Sequence, residues 1–434
     1  MEPPPLPHLM QAEVINTGTE LLLGLVQNKH LAHLAGELAP LGIKVARQVC
    51  VPDGPAVGAA LDDALGRAEI VIITGGLGPT SDDLTRDAAA QLLRRPLQLD
   101  QKILEDIRER FARRGLLMAE NVSRQAMVPL GAEVLPNTHG TAPGLYFPPA
   151  TLGPRRTQHL FLLPGPPREL HPMVRDSVLP KLRLTLPQTE DKECRIYRLT
   201  GIGESQVEAQ IGQKLDARVD LEVGYCARPS EVDFRLIGSP AVLDEVEPSI
   251  LGQLGEWIYS RGIPLENTVA ALLQEKSLTL ATGESCTGGS LANRITNVPG
   301  ASAIFHAGYV TYANEAKRSS LEVPSDLLTL HGAVSEPVAA AMAEGARRAA
   351  ASDCALSTTG IAGPSGGSKN KPVGTVFIGL ARKGTPTIVR CCHFPVDRPT
   401  FKYMVTSAAL DLLRRHLLDL PLNLGAGASL PRLG

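Results

Sequence analysis

From Ala12 onward, short apolar runs alternate with longer stretches in which apolar residues recur every three or four positions. AEVINTG, IKVARQVCVP and EIVIITGG read as strands, and KHLAHLAGELAPLG and PAVGAALDDALGRA as the helices between them. Near-continuous aliphatic strands separated by amphipathic helices predict a parallel sheet covered on both faces. HLFLLPGPPREL adds one more strand and a turn, and the proline-spaced LPKLRLTLPQTEDKE reads as a linker. From Cys194 the pattern changes: CRIYRLTG and EVDFRLIG are strands flanking the helix-like ESQVEAQIGQKL, a small spacer region. Past Leu265 the alternation returns. Helices NTVAALLQEK, GGSLANRI, NEAKRSSL, PVAAAMAEGARRAAA and FKYMVTSAALDLLRRHLL are interleaved with strands SLTLATG, AIFHAGYVTY, CALSTTG, GTVFIGLAR and TIVRCCHFP. The expected fold class is α/β: two parallel-sheet α/β domains, residues 11–175 and 265–420, joined by a small α+β domain, residues 190–260. They differ in motif and length, so they are not an internal repeat.

Composition narrows the partners. With 434 residues the chain exceeds one core, and 43% hydrophobic with 20% charged residues fits an ordinary globular protein. A net charge of -2 and the lack of a basic, aromatic-interleaved stretch argue against direct nucleic-acid binding, so an anionic ligand must be held locally. Seven scattered cysteines form no CxxC pair and no zinc spacing, which fits reduced thiols and a cytoplasmic location. No apolar run reaches transmembrane length, and MEPPPLPHLM lacks a signal pattern. That leader, with Met10 as an alternative start, and the tail PLNLGAGASLPRLG are expected to be disordered.

Two corners carry candidate chemistry. LTLATGESCTGGSLANR, residues 278–294, runs from a strand through a glycine-rich turn into a helix and leaves the hydroxyl of Ser285 at the corner. Gly288 and Gly289 admit close approach to the backbone, and N–H groups near Thr287 and Gly288 are candidate oxyanion donors. A serine nucleophile also needs a base. His306 lies inside an apolar strand and His331 precedes a helix, whereas YVTYANEAK offers Tyr312 and Lys317 around Asn314. With Asn314 as N-cap, Lys317 falls in the first helical turn, where the helix dipole and burial favour its neutral form. Ser–Lys pairs are a known nucleophile–base combination. TTGIAGPSGG, residues 358–367, suits phosphate or ribose contact through Thr359, Gly360 and backbone amides. Arg398 suits bidentate pairing with a phosphate. Each residue alone also has a structural reading: Ser285 as a helix cap, Lys317 as a solvated surface residue, Cys286 as a buried small hydrophobe, and His331 and Ser335 as loop and cap residues. Their conjunction carries the functional reading.

The other corner is VIITGGLGPTSDDLTRD, residues 71–87. Gly75, Gly76 and Gly78 expose amides to a phosphate, and Asp82 and Asp83 are candidate ligands for a divalent cation or, equally, acids favoured by a helix start. NTGTELLLG adds Thr17, Gly18, Thr19 and Glu20 after the first strand, at the sheet edge where ligands bind in open parallel sheets. Asp53 and Asn121 read as turn or cap residues.

ESCTGG, YxNEAK, HGAVSE and TGIAGPSGG, in this order, resemble the C-terminal domain of the competence/damage-inducible CinA family across the last third of the chain. GTELLLG, TGGLGPTxDDLTR and LPGPPREL resemble the CinA N-terminal domain, itself similar to molybdopterin-binding MoaB/MogA folds. The chain departs from the family at Val396, usually Gly; at Ser81, usually Pro; and near Lys29, often Asn or Thr. The resemblance implies deamidation of nicotinamide mononucleotide to nicotinate mononucleotide and ammonia in the C-terminal domain, without a metal. Ser285 would be nucleophile, Lys317 base and Tyr312 an assistant, with Thr359 and Arg398 positioning the substrate. It implies metal-dependent hydrolysis of ADP-ribose to AMP and ribose 5-phosphate in the N-terminal domain, with Mg or a similar ion at Asp82 and Asp83, and it implies a homodimer. The alternatives are a molybdopterin-like ligand carrier and a non-catalytic competence accessory protein. The carrier leaves the Ser/Tyr/Lys set unexplained.

Overall fold

The computed structural model describes residues 10–154, 156–185, 193–215 and 217–422, and the chain divides into two compact units after Glu193. The first unit contains β1 (Gln11–Thr17), β2 (Lys44–Val51), β3 (Ile70–Thr74), β4 (Leu97–Leu99), β5 (Met127–Pro129), β6 (Glu133–Leu135), β7 (Gly144–Phe147) and β8 (His159–Leu163). Six of them form a sheet in the order β2-β1-β3-β8-β7-β6, and β4 pairs with β5 apart from it. Every residue of β3 and β8 is buried, which is why these strands read as unbroken apolar runs. Leu34, Leu38, Leu170, Met173 and Val178 form the core on one face, and Val57, Leu61, Leu65 and Ala89 that on the other. The first four strands in that order are parallel, but β7 runs antiparallel to both its neighbours. The sheet is therefore mixed. Strands β6 and β7 are only three and four residues long, too short to show a period in the sequence.

The expected linker is partly structured. Its first seven residues form the helix Leu179–Thr185, which buries Leu179 and Leu182 against the first core. This helix continues without a break from Pro167–Met173 through a π turn, Val174–Val178, just ahead of Pro180. Residues 186–192 of that segment, the leader's first nine residues and all but two residues of the expected tail lie outside the described residues.

The second unit opens with β9 (Glu193–Thr200), β10 (Glu222–Arg228), β11 (Glu231–Gly238) and β12 (Ile258–Arg261), a sheet in the order β10-β11-β9-β12 backed by helices Glu204–Leu215 and Pro240–Leu254. Next come β13 (Leu280–Glu284), β14 (Phe305–Val310), β15 (Cys354–Gly360), β16 (Thr375–Arg382) and β17 (Ile388–His393), in the order β14-β13-β15-β16-β17. The first three are parallel; β16 and β17 form an antiparallel hairpin beside β15. A short loop joins β16 to β17, and a short loop allows only the antiparallel return.

Helices Leu265–Glu275 and Arg398–Leu417 cover one face of this sheet; Asn314–Leu321 and Glu336–Ala349 cover the other. Helix Arg398–Leu417 is buried along most of its length, and within it buried Arg414 and Arg415 each pair with buried Asp411 at 2.8 Å. Buried Glu231 of β11 accepts hydrogen bonds from Tyr259 (2.8 Å), Tyr403 (3.1 Å) and Ser407 (3.3 Å), which ties the four-stranded sheet to the same helix.

Helix Glu336–Ala349 meets the end of helix Asn314–Leu321 at Gly345, where an added Cβ would stand 2.0 Å from the carbonyl oxygen of Leu321. Alanine in a helix interior normally gains about 1 kcal/mol over glycine. Here the clash is with backbone and outweighs that gain. Gly345→Ala should destabilise the second unit by about 1–3 kcal/mol, measured as a lower denaturation midpoint; an unchanged or higher midpoint would refute this packing.

Candidate functional site

Strand pairing builds the first site. Parallel pairing places Glu284 beside Val310 and Thr358, so three strand ends meet at one edge of the sheet. Beyond them, the Ser285 amide donates to the Thr358 carbonyl (2.9 Å) and the Thr311 amide to the Glu284 carbonyl (2.8 Å). The fully buried Glu284 carboxylate accepts from the Thr287 hydroxyl (2.7 Å) and from the amides of Leu291 (3.0 Å) and Ala292 (2.8 Å). A side-chain carboxylate thus consumes the amides that open helix Ser290–Thr296. Ser285 does not cap that helix and keeps its hydroxyl for other work. Sequence reasoning passed over Glu284; an acid closing an otherwise apolar strand was the available signal.

Between Ser285 and the helix, Gly288 and Gly289 adopt φ of 58° and 88°. The Gly288 amide is taken by the Ser285 carbonyl, contrary to its expected role as an oxyanion donor. Among the described residues the amides of Cys286, Thr287 and Gly289 carry no partner.

Lys317 is buried, 1% exposed, and its Nζ lies 3.1 Å from Ser285 Oγ, 2.9 Å from the Thr311 carbonyl and 3.1 Å from the Tyr312 carbonyl. A neutral amine has two hydrogens. Two carbonyls can only accept, so they take both and leave the nitrogen lone pair facing the serine hydroxyl. Burial also lowers the pKa of Lys317 below its ordinary 10.5. The helix position differs from expectation: Ala313 is the N-cap, Asn314 is the first helical residue, and Asn314 makes no capping bond. The lowered pKa follows from burial rather than from a capped helix start. The neighbouring Cys286 thiol is pushed up to about 12 by burial and stays protonated, which leaves Ser285 as the nucleophile candidate.

The other expected residues separate into two groups. Arg398 donates to the Tyr312 hydroxyl (2.8 Å) and to the Gly363 carbonyl (3.2 Å), so these residues form an exposed rim. The Tyr312 hydroxyl therefore faces Arg398 rather than the Ser–Lys pair. Thr287 and Thr359 are buried, with hydroxyls engaged by Glu284 and Thr358 and by the Ala333 carbonyl, respectively. Gly360 is required by packing, since a Cβ there would lie 2.8 Å from the Thr375 carbonyl oxygen. Lys402, one turn beyond Arg398 and absent from the sequence expectations, brings its Nζ within 3.5 Å of where a Gly288 side chain would begin.

In the first unit, Gly18, Glu20, Gly75, Gly76, Gly78, Asp82 and Asp83 all line one cavity of about 890 Å³, together with Asn28, His30, Asp53, Gln125 and Glu169. A Cβ on Gly76 would stand 2.1 Å from the Thr85 hydroxyl, so only glycine lets the loop lie on the following helix. Among the described residues the amides of Gly76, Leu77 and Gly78 have no partner, a run of donors suited to an anion. Asp53 accepts from the Thr19 amide (2.9 Å) and Asp83 from the Thr80 amide (2.9 Å), while Asn121 donates to the Pro79 carbonyl outside the cavity lining. Burial lowers the pKa of His30, whose Nδ1 lies 3.0 Å from the Thr74 hydroxyl. Among the described residues no three His, Cys, Asp or Glu side chains close around one metal-sized point. The acids present fit a hard cation that draws most of its ligands from phosphate and water.

Three stretches of the chain match described families: "Probable molybdopterin binding domain" at residues 13–184, "Damage-inducible protein CinA KH domain" at 194–260 and "CinA C-terminal domain" at 263–417. A CinA-like protein of Akkermansia muciniphila is 45% identical over 402 residues, covering 92% of this chain and 96% of that protein. Among solved structures, a CinA superfamily protein from Klebsiella pneumoniae shares 33% identity, covers 36% of this chain and 96% of its own, and has a TM-score of 0.35. The competence/damage inducible protein CihA from Agrobacterium tumefaciens shares 34% identity, covers 37% and 99%, and has a TM-score of 0.34. This is an α/β protein with a molybdopterin-binding-type region ahead of a CinA-type region. The chain belongs to the CinA family of competence/damage-inducible proteins. Among the described residues no helix is long and apolar enough to cross a membrane.

Replacing Glu284 with Ala strands the amides of Leu291 and Ala292, while the Thr287 hydroxyl keeps Thr358; a buried donor left unpaired costs about 1–3 kcal/mol. Glu284→Ala should lower the denaturation midpoint by several degrees and speed hydrogen exchange at Leu291 and Ala292. Unchanged exchange at those two amides would contradict the clamp.

Proposed function

We propose that the C-terminal region is an amidohydrolase that deamidates nicotinamide mononucleotide, and that the first unit hydrolyses ADP-ribose to AMP and ribose 5-phosphate. The observation that carries the first reading is the 3.1 Å approach of Lys317 Nζ to Ser285 Oγ, with the carbonyls of Thr311 and Tyr312 holding the same nitrogen. Ser285 Oγ attacks the carboxamide carbon as its proton passes to Lys317. The unpaired amides of the Cys286–Gly289 turn supply donors for the oxyanion. Collapse breaks the C–N bond, Lys317 returns the proton to the leaving nitrogen, and ammonia departs. Water then adds to the acyl-enzyme under the same base and releases nicotinate mononucleotide and the serine hydroxyl. Arg398, with Tyr312 holding its guanidinium, and Lys402 give the rim a positive character suited to the nucleotide phosphate.

In the first unit, the amides of Gly76 to Gly78 cradle one phosphate, and Asp82 and Asp83 stand beside it to hold a divalent ion. Such an ion, when bound, neutralises the diphosphate and acidifies the attacking water. The carrier alternative shares this cavity but leaves the Ser–Lys contact unused, and turnover separates the two.

Ser285→Ala should reduce ammonia release from nicotinamide mononucleotide by about a thousandfold or more; a variant as active as the parent would sink the nucleophile assignment. In the parent, the fraction of neutral Lys317 grows with pH. The ratio kcat/KM should therefore rise with pH and level off below the ordinary lysine value of 10.5. For the first unit, Asp82→Ala combined with Asp83→Ala should abolish metal-dependent AMP release from ADP-ribose while leaving deamidation intact. Retained AMP release would remove the cation from these residues.

A further inference from the structure

Four elements of the second unit meet at a buried cluster of charges. Glu231 of β11 is 3% exposed and accepts from the hydroxyls of Tyr259 (2.8 Å), Tyr403 (3.1 Å) and Ser407 (3.3 Å), with Arg228 at 3.4 Å and Arg294 at 3.9 Å. Burial and the Glu231 charge push both tyrosine hydroxyls up, so they remain donors. Arg294 belongs to helix Ser290–Thr296, which opens just after the Ser285 turn. Its guanidinium donates to the hydroxyls of Thr406 (3.0 Å) and Ser407 (2.8 Å) and to Glu266 of helix Leu265–Glu275 (2.7 Å), and it lies 4.9 Å from the centre of the Tyr403 ring. Arg398, Lys402 and Thr406 follow at four-residue intervals and share one stripe of helix Arg398–Leu417. The stripe that carries the two rim cations therefore ends in a residue held by the serine-bearing helix. The next residue, Ser407, is held by Glu231 as well. Both halves of the site, serine turn and cationic rim, thus meet the four-stranded sheet at one carboxylate.

We infer that Glu231 is a positioning residue that fixes the span between Ser285 and the Arg398–Lys402 rim, and so sets the preference for a phosphorylated substrate; this rests on the deamidase reading of the C-terminal region. The basis is reach. A substrate cut at its carboxamide and held at its phosphate must match the separation of the groups that touch its two ends, and a shift of about 1 Å in either is costly. Glu266 balances the Arg294 charge, and Glu231 ties the same cluster to Tyr403 and Ser407, directly after Lys402 and Thr406. Lys317 takes its contacts elsewhere, from Ser285, Thr311 and Tyr312. Glu231 therefore acts on binding of the phosphate end and not on proton transfer at the serine. The small sheet is on this reading a working part of the amidase site.

The test uses the full chain with Glu231→Gln, which keeps the shape and an acceptor but removes the charge. Tyr403→Phe is the second variant; it keeps the ring over Arg294 and removes one hydrogen bond. Ammonia release is followed from nicotinamide mononucleotide and from nicotinamide riboside, the same carboxamide without the phosphate, and melting temperature is recorded for each variant. Glu231→Gln should raise KM for the mononucleotide about fivefold or more, with kcat and its pH profile unchanged and kcat/KM for the riboside unaltered. Tyr403→Phe should move KM the same way by a smaller factor, and it decides the question if Glu231→Gln does not fold. In an Arg398→Ala background the added effect of Glu231→Gln should shrink toward none, since both act on one contact. This comparison decides by itself where the riboside turns over too slowly to follow. An unchanged KM for the mononucleotide in the folded variants overturns the inference. Equal losses on both substrates, or full additivity with Arg398→Ala, overturn it too, because Glu231 would then serve the fold as a whole. A parent that releases ammonia from neither substrate overturns the deamidase reading and this inference with it.

Discussion

A buried carboxylate holds the second unit's site together. Burying an ionised acid costs several kcal/mol unless the surroundings return that cost through hydrogen bonds. Glu284 recovers it from the Thr287 hydroxyl and two helix-opening amides, with Thr282 a longer contact at 3.4 Å. The helix dipole adds to this because the charge sits at its positive end. One side chain thus locks the strand end, the turn and the helix start into a single piece.

That lock determines what remains free. With its opening amides occupied, helix Ser290–Thr296 cannot act as an anion site, and donor capacity shifts into the preceding turn. Ser285 is released from capping and stands between the turn amides and the lysine. The same strand edge orients the carbonyls of Thr311 and Tyr312, which take the hydrogens of Lys317. The direction of the amine lone pair is therefore a consequence of how β14 pairs with β13. Arg294 extends the frame by binding Thr406 and Ser407, which fixes the serine-bearing turn relative to the helix that carries Arg398 and Lys402.

The first unit solves the problem of an anionic ligand differently. It has a row of unpaired amides on a glycine loop, acids lining the same cavity, and wall residues Asn28 and His30 held from behind by Asn16, Gln48 and Thr74. Burial keeps His30 neutral more readily than an exposed histidine. Where the second unit depends on a charge hidden in its core, the first depends on backbone groups left open at its surface.

Periodicity by itself identified the strands and helices that carry both sites, because β3 and β8 are buried on both faces and β1 and β15 keep short apolar runs ahead of their polar ends. It also placed Ser285 and the glycine loop at strand ends and Lys317 in the helix that follows one, since a parallel sheet brings successive strand ends to one edge. Short strands β6 and β7 and the antiparallel return of β16 and β17 were not legible, because pairing direction depends on partners far away in the chain. The turn of the Thr359 hydroxyl toward the Ala333 carbonyl was not legible for the same reason: a hydroxyl in a motif can face a ligand or a buried neighbour, and only packing decides. Lys402 carried no local pattern at all, and Glu284 only that of an acid closing an apolar strand. Burial and the presence or absence of a partner give each its meaning, and both are properties of the assembled fold rather than of any stretch of sequence.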